Sequence, residues 1–305
     1  MPHDIAILGI FAADTAYRAD RLPAVGETIL GRGFALNPGG KGSNQAVAAA
    51  RAGGSVAFLT KIGDDTFGQL ARETWKWAGV TFAGAEVPDA PTGAAFIFVD
   101  DTSGDNAIIV SSGAAGTITP ADIEGWAETI RSARIFVTQL EQPLDAAHRA
   151  LRIARDAGVR TVLNPAPATD LSDNFLALCD FVTPNESEAT RLTGIDVVGA
   201  ESAGEAAAAL VDRGAGAAIV TLGANGALYH DGQAVHHVPG RNAGSVVETT
   251  GAGDAFSGAL AAALSAGRNL EMALAFANAA GALSVTRAGA APAMPRLSEI
   301  EALLG

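Results

Sequence analysis

The chain has 305 residues, 49% of them hydrophobic, with a formal net charge of −13 and a single cysteine. That charge argues against nucleic acid or an anionic membrane as partner, since both need a basic face, and any anionic substrate must be met by local dipoles and a few basic side chains. One cysteine excludes an internal disulfide, no uninterrupted run of large apolar residues is long enough to span a bilayer, and Met1–Asp4 is neither a basic nor an apolar leader, so the expected compartment is the cytoplasm.

In chain order, Ile5–Ile10 is a continuous apolar run, the pattern of a strand buried on both faces of a parallel sheet. Asp14 follows just past its C-terminal end, where ligands sit in open α/β sheets, although a loop aspartate has the same appearance. Residues 15–38 lack a helical period and carry Pro23, Gly26, Gly31 and Gly33, which predicts a small β structure; Thr92–Val99 and Asn106–Val110 read as a hairpin of the same kind. Together these segments make either a lid or an edge extension of the main sheet. Pro38–Gln45 is a glycine loop leading into a helix over Ala46–Gly53. Its Gly-Lys pair lacks the spacing of a P-loop, so its glycines allow close approach of a ligand, while Lys41 and Asn44 offer donors suited to hydroxyl groups.

From Val56 onward strands and helices alternate: strands over Val56–Thr60, Ile135–Leu140, Thr161–Leu163, Phe181–Thr183 and Ala217–Leu222, helices over Phe67–Ala78, Ala121–Arg131, Leu144–Ala157, Glu186–Leu192 and Gly204–Arg213. This order predicts right-handed βαβ units and a parallel sheet with helices on both faces. Polar residues recur at the strand ends, namely Glu141, Asn164, Asn185 with Glu188, and Gly223–Gly226. Each alone reads as a cap or turn residue, but their shared edge raises a ligand site. Asn185 and Glu188 share a face of one helical turn, from which both reach a hydrated magnesium ion and phosphate oxygens. Cys179 has no basic neighbour and reads as core, and the histidines have no metal-ligand spacing.

Thr249–Phe256 is the most informative stretch. Phe256, Leu260, Ala263 and Leu264 recur at helical spacing behind Gly251-Ala252-Gly253, so a glycine turn opens a helix whose amides and dipole suit an anion. A third glycine at dinucleotide spacing is missing. Asp254 at this edge is an N-cap or, more informatively, a base that takes a proton from a hydroxyl attacking phosphorus.

Seven stretches carry a family resemblance: Gly39–Ala46, Gln139–Leu144, Asn164–Ala168, Thr183–Ala189, Thr221–Gly223, Gly251–Asp254 and Val285–Ala290. In this order they resemble the ribokinase family of carbohydrate and nucleoside kinases over nearly the whole chain. The resemblance implies a Rossmann-like, mostly parallel α/β sheet with helices on both faces, one unit over residues 1–305, and a small β-sheet lid from about 12–38 and 92–112 that often clasps two subunits into a dimer. It implies an ATP-dependent kinase acting on the primary hydroxyl of a small sugar, D-ribose foremost. Asp254 would be the base, and the amides of Gly251, Ala252 and Gly253 the anion hole. Asp14, Gly40, Lys41, Asn44 and Glu141 would line the sugar site; Asn185, Thr221, Leu222, Gly223, Ala224, Asn225, Gly226, Gly253 and Asn278 would meet the nucleotide. Glu188, with Asn185, would support Mg2+ through water. Glu248 and the carbonyls of Thr250, Ser284, Arg287, Gly289 and Ala293 would hold K+. Two departures stand out: Ala12 where ribokinases usually have asparagine, and Glu248 where aspartate is common. Deoxyribose, another sugar or a nucleoside is the alternative acceptor, and a sugar-sensing protein on a kinase scaffold the non-enzymatic alternative.

Overall fold

The computed structural model describes residues 3–305. Among them, nine strands form one sheet, ordered from one edge Val235–Val238, Ala227–His230, Ala218–Thr221, Phe181–Val182, Arg160–Leu163, Ile135–Thr138, Ile5–Leu8, Val56–Leu59 and Thr81–Phe82. All neighbours are parallel except the first two pairs, which make an antiparallel edge. Side chains alternate across it as a period of two requires: Ile5, Ile7, Val56, Phe58, Ile135 and Val137 enter one core, Ala6, Leu8, Leu59 and Phe136 the other. Helices Lys41–Arg51, Thr66–Ala78, Ala252–Ser265 and Leu270–Ser284 cover the first face, and Leu144–Asp156 and Ala200–Asp212 the second. Ala252–Ser265 is buried from Asp254 onward, which explains its nearly uniform apolar sequence.

The segments set apart in the sequence pair with one another and not with the main sheet. Ala12–Ala19, Gly33–Gly39, Thr92–Asp100 and Asn106–Gly113 form a separate four-stranded sheet, so they are not an edge extension. Its register puts Thr15, Leu36, Phe96 and Ile109 on one face together with Tyr17 and Phe34, and Asp14 on the other.

Several predicted elements change. The helix predicted for Ala121–Arg131 is two, Pro120–Gly125 and Ala127–Arg131, because Trp126 leaves helical geometry (φ −99°, ψ 2°) directly after Gly125. The glycine loop predicted to run to Gln45 ends at Gly40, whose φ of 84° turns the chain in one residue; Lys41 already begins the helix, and the Ser43 amide donates to the Ile10 carbonyl. The Gly204–Arg213 helix begins four residues earlier, at Ala200. The antiparallel edge and the helices Leu270–Ser284 and Leu297–Leu304 complete the fold. No helix among the described residues is long and apolar enough to cross a membrane.

Candidate active site

Three chain segments meet at the C-terminal edge of the sheet: the start of the Lys41–Arg51 helix, the residues after Ile135–Thr138, and the start of the Ala252–Ser265 helix. Asp254 is buried there. Its Oδ2 accepts from Asn44 Nδ2 and its Oδ1 from Gln45 Nε2, each at 3.0 Å. Glu141 Oε2 accepts the Lys41 backbone amide at 2.8 Å, a carboxylate placed at the positive end of that helix. The backbone of Gly39 makes room for Asp14, since a Cβ on Gly39 would lie 2.2 Å from Asp14 Oδ2.

The electrostatics are lopsided. Burial, with Asp254 next, pushes Asp14 up to about 6; burial pushes Glu141 up to about 7 despite Lys41. Burial also raises Glu188 and Asp254, opposed in both cases by Lys41. Lys41 itself loses hydration, yet Asp254, Glu141, Glu188 and Asp14 outweigh that loss and hold it protonated. One ammonium thus faces four partly desolvated carboxylates, an arrangement that favours added cations and polar hydroxyl donors.

Two cavities open beside Asp254. The smaller, about 120 Å3, is lined by Lys41, Asn164, Asn185, Glu188, Gly251 and Asp254 among others. The larger, about 490 Å3, runs from Thr221, Gly223, Ala224 and Gly226 past Arg241 to Asn278 and Val285. Thr221, Thr249, Ala252 and Gly253 line both, so the start of the Ala252–Ser265 helix is their junction. At that helix start the Ala252 amide donates to the Thr249 carbonyl at 3.2 Å, and Gly251, with φ 81°, is its N-cap. A third groove of about 980 Å3 lies near Arg155 and Asp180, away from Asp254.

Most residues singled out in the sequence converge here, with qualifications. Asn185 and Glu188 form a capping box: Asn185 Oδ1 accepts the Glu188 amide at 2.8 Å and Glu188 Oε2 the Asn185 amide at 2.9 Å. They are therefore the helix cap that the pattern also allowed, with both residues still lining the smaller cavity. Leu222 and Asn225 do not line the larger cavity. Leu222 is buried in the second core, and Asn225 sits in a one-turn 3-10 segment with its carbonyl bonded to His237. Asn278 spends its amide nitrogen on the Val238 and Pro239 carbonyls while lining the cavity. Glu248 Oε2 accepts the Gly289 amide at 2.8 Å, tying together two of the segments expected to hold K+. Asn164, one of the strand-end polar residues expected at this edge, joins it, and Gln45 and Gln139, which received no role from the sequence, join with it: Gln45 Nε2 also reaches Asn164 Oδ1 at 3.0 Å and Gln45 Oε1 accepts from Gln139 Nε2 at 2.7 Å. A glutamine inside a helix carries no pattern that distinguishes it from a surface residue; only its burial does.

A mostly parallel α/β sheet with a buried carboxylate at the head of an apolar helix, beside one polar and one elongated cavity, is an arrangement suited to phosphoryl transfer between small molecules. The sequence profile of the pfkB family carbohydrate kinases matches residues 2–297, and the chain belongs to that family. It is 37% identical to a ribokinase of Haemophilus influenzae over 300 residues, 98% of this chain and 97% of that protein. It is 36% identical to a deoxyribokinase of Salmonella typhi over 303 residues, 99% and 98% of the two chains. Among solved structures, an Arabidopsis thaliana ribokinase complexed with ribose and ATP matches with a TM-score of 0.92 and 32% identity, covering 100% of this chain and 99% of that one.

Proposed function

We propose that this carbohydrate kinase transfers the γ-phosphoryl group of ATP to the primary hydroxyl of ribose. The observation that carries the reading is Asp254, a buried carboxylate that lines the smaller cavity directly beside Gly253, which lines both. The sugar occupies the side of Asp14, Gly40, Lys41, Asn44 and Glu141, and the nucleotide the larger cavity. As the hydroxyl oxygen bonds to phosphorus and the bond to the leaving diphosphate breaks, Asp254 takes the hydroxyl proton. The residues fit Mg2+: Glu188 and Asn185 line the smaller cavity amid an excess of carboxylate, and when bound the ion neutralises phosphate charge. K+ would be held by Glu248 and the carbonyls of Thr250, Ser284, Arg287, Gly289 and Ala293, and Glu248 already ties its own segment to that of Gly289. If so, potassium raises turnover over sodium at equal ionic strength; indifference to the cation would remove K+ from the reading.

The four-stranded sheet acts as the lid, and its outer face joins two subunits. Tyr17, Phe34, Phe96 and Ile109 are exposed there, with Tyr17 packed against Phe34 at 5.1 Å and Phe96 at 5.7 Å between ring centroids. Light scattering should show a dimer that Tyr17→Glu converts to monomers, and a monomeric parent would refute this assembly. With Cys179 buried and unpaired, we place the enzyme in the cytoplasm.

A second reading is favoured by Ala12, which is buried and lies two residues before Asp14 on the same face of its strand, offering the acceptor a methyl group only. Missing one hydrogen-bond partner weakens a site by about 0.5 to 1.5 kcal/mol, up to roughly tenfold in affinity, so deoxyribose discrimination should be relaxed. The test is kcat/KM for ribose, deoxyribose, hexoses and nucleosides, in the parent and in Ala12→Asn. Ribose should lead, and Ala12→Asn should lower its KM. A clear preference for another acceptor that Ala12→Asn leaves unmoved overturns ribose as the substrate.

A further inference from the structure

Resting on Asp254 as the base, we propose that Gln139 and Gln45 form a positioning relay: Gln139 locks the amide of Gln45 so that Gln45 presents N–H to Asp254, and the carboxylate is thereby aimed. A carboxylate only accepts hydrogen bonds, and Gln45 Nε2 lies 3.0 Å from Asp254 Oδ1 and 3.0 Å from Asn164 Oδ1, so both its protons face acceptors. The other end of the same amide, Oε1, needs a donor, and Gln139 Nε2 supplies it at 2.7 Å. Reversing the Gln45 amide would set oxygen against two oxygens and nitrogen against nitrogen.

Gln139 is fully buried. A Cβ on Gly9 would come within 2.3 Å of its Oε1 and a Cβ on Gly42 within 2.9 Å, so these two glycines shape the slot that holds its head group. Its Oε1 is buried there without a donor among the described residues. A side chain retained for packing alone would be better apolar at that spot, since an unpaired buried oxygen is unfavourable. What Gln139 contributes is its N–H end. The relay grips Oδ1 only; Oδ2 meets Asn44, whose own Oδ1 is buried and unpaired, so among the described residues no second hydrogen bond fixes that amide. Oδ2 is the oxygen left to receive the proton.

The other charged groups around Asp254 come from separate elements: Lys41 from the helix it begins, Asp14 from the small sheet, Glu141 from the segment after Ile135–Thr138, Glu188 from Glu186–Thr193, and Glu248 facing Asp14. They are common to every variant below, so a difference between variants reports on the relay.

The experiment measures the pH dependence of kcat and KM for the full-length enzyme, Gln139→Met, Gln45→Met, the double variant and Gln139→Glu, with thermal unfolding alongside and Asp254→Asn as reference. Gln139→Met should lower kcat about three- to tenfold and move its acid limb up by roughly 0.5 to 1 pH unit, the scale of one hydrogen bond to the carboxylate's neighbour. Its unfolding temperature should not fall. The double variant should be no slower than Gln45→Met, because Gln139 acts through Gln45. Gln139→Glu, which keeps the shape, should work while its acid is protonated and can donate, and lose activity above its own titration, when a carboxylate would reverse the Gln45 amide. That variant carries the test even if Gln139→Met fails to fold. An unshifted acid limb in Gln139→Met, additive losses in the double variant, or a Gln139→Glu profile matching the parent's overturns the relay. Substantial turnover by Asp254→Asn would instead overturn the base assignment itself.

Discussion

Asp254→Asn should lower kcat by roughly two to four orders of magnitude while leaving the KM for nucleotide near that of the parent and raising that for sugar by no more than about tenfold through Asn44, the signature of a lost general base. The structure indicates why the variant should still fold. Asn44 and Gln45 both aim N–H groups at the residue 254 side chain. An asparagine there offers one oxygen and one amino group, so one of the two donors must turn. Asn44 has an unpaired Oδ1 ready to accept, whereas Gln45 is held by Gln139. Rotation of Asn44 alone satisfies the new side chain. The burial that raises the proton affinity of Asp254 also disappears as an energetic load when the group is neutral, so thermal stability should hold or rise. Turnover within about tenfold of the parent would sink the assignment.

How much of this was legible in the sequence depended on whether a residue's role was written in local pattern. The parallel strands announced themselves as apolar runs because both faces of the sheet are covered, as Ile5–Leu8 and Ile135–Thr138 show by their full burial. Asp254 was legible because glycines precede it and an apolar helix follows. The break at Trp126 was hidden because Ile123, Ala127 and Ile130 keep a helical spacing across it and all face the same core. The early start of the Lys41 helix was hidden by glycine and serine, poor helix formers whose place is set instead by tertiary contacts such as Ser43 with the Ile10 carbonyl. Resemblance supplied roles that no spacing could, such as those of Asn278 and Glu248. It gave none for Gln45 and Gln139, which lie nearly a hundred positions apart in sequence and meet because the Lys41 helix is anchored just past Ile5–Leu8, whose sheet neighbour is Ile135–Thr138.

Gly253→Val should abolish most activity without disturbing the fold, with kcat/KM down by about 10² to 10³, as when a preorganised oxyanion donor is lost. A Cβ added at Gly253 meets nothing within 4 Å, and its backbone lies outside the positive-φ region, so a larger side chain is accommodated. A valine is also a better helix residue than glycine, and residue 253 lies inside the Ala252–Ser265 helix. Yet Gly253 lines both cavities, so the new methyl groups project into their junction, at the helix start where a transferring phosphoryl group would be held. The neighbouring glycine provides the contrast. Gly251 has φ 81°, and a Cβ there would lie 3.0 Å from the Ala290 side chain and 3.2 Å from its Cα, so Gly251→Val should lose stability as well as activity. Thermal unfolding and steady-state kinetics on the two variants separate the cases: Gly253→Val inactive at parental stability, Gly251→Val inactive and destabilised. A Gly253→Val enzyme that turns over at the parental rate would mean that the phosphoryl group passes elsewhere, and the helix start would have to be given up as the anion hole.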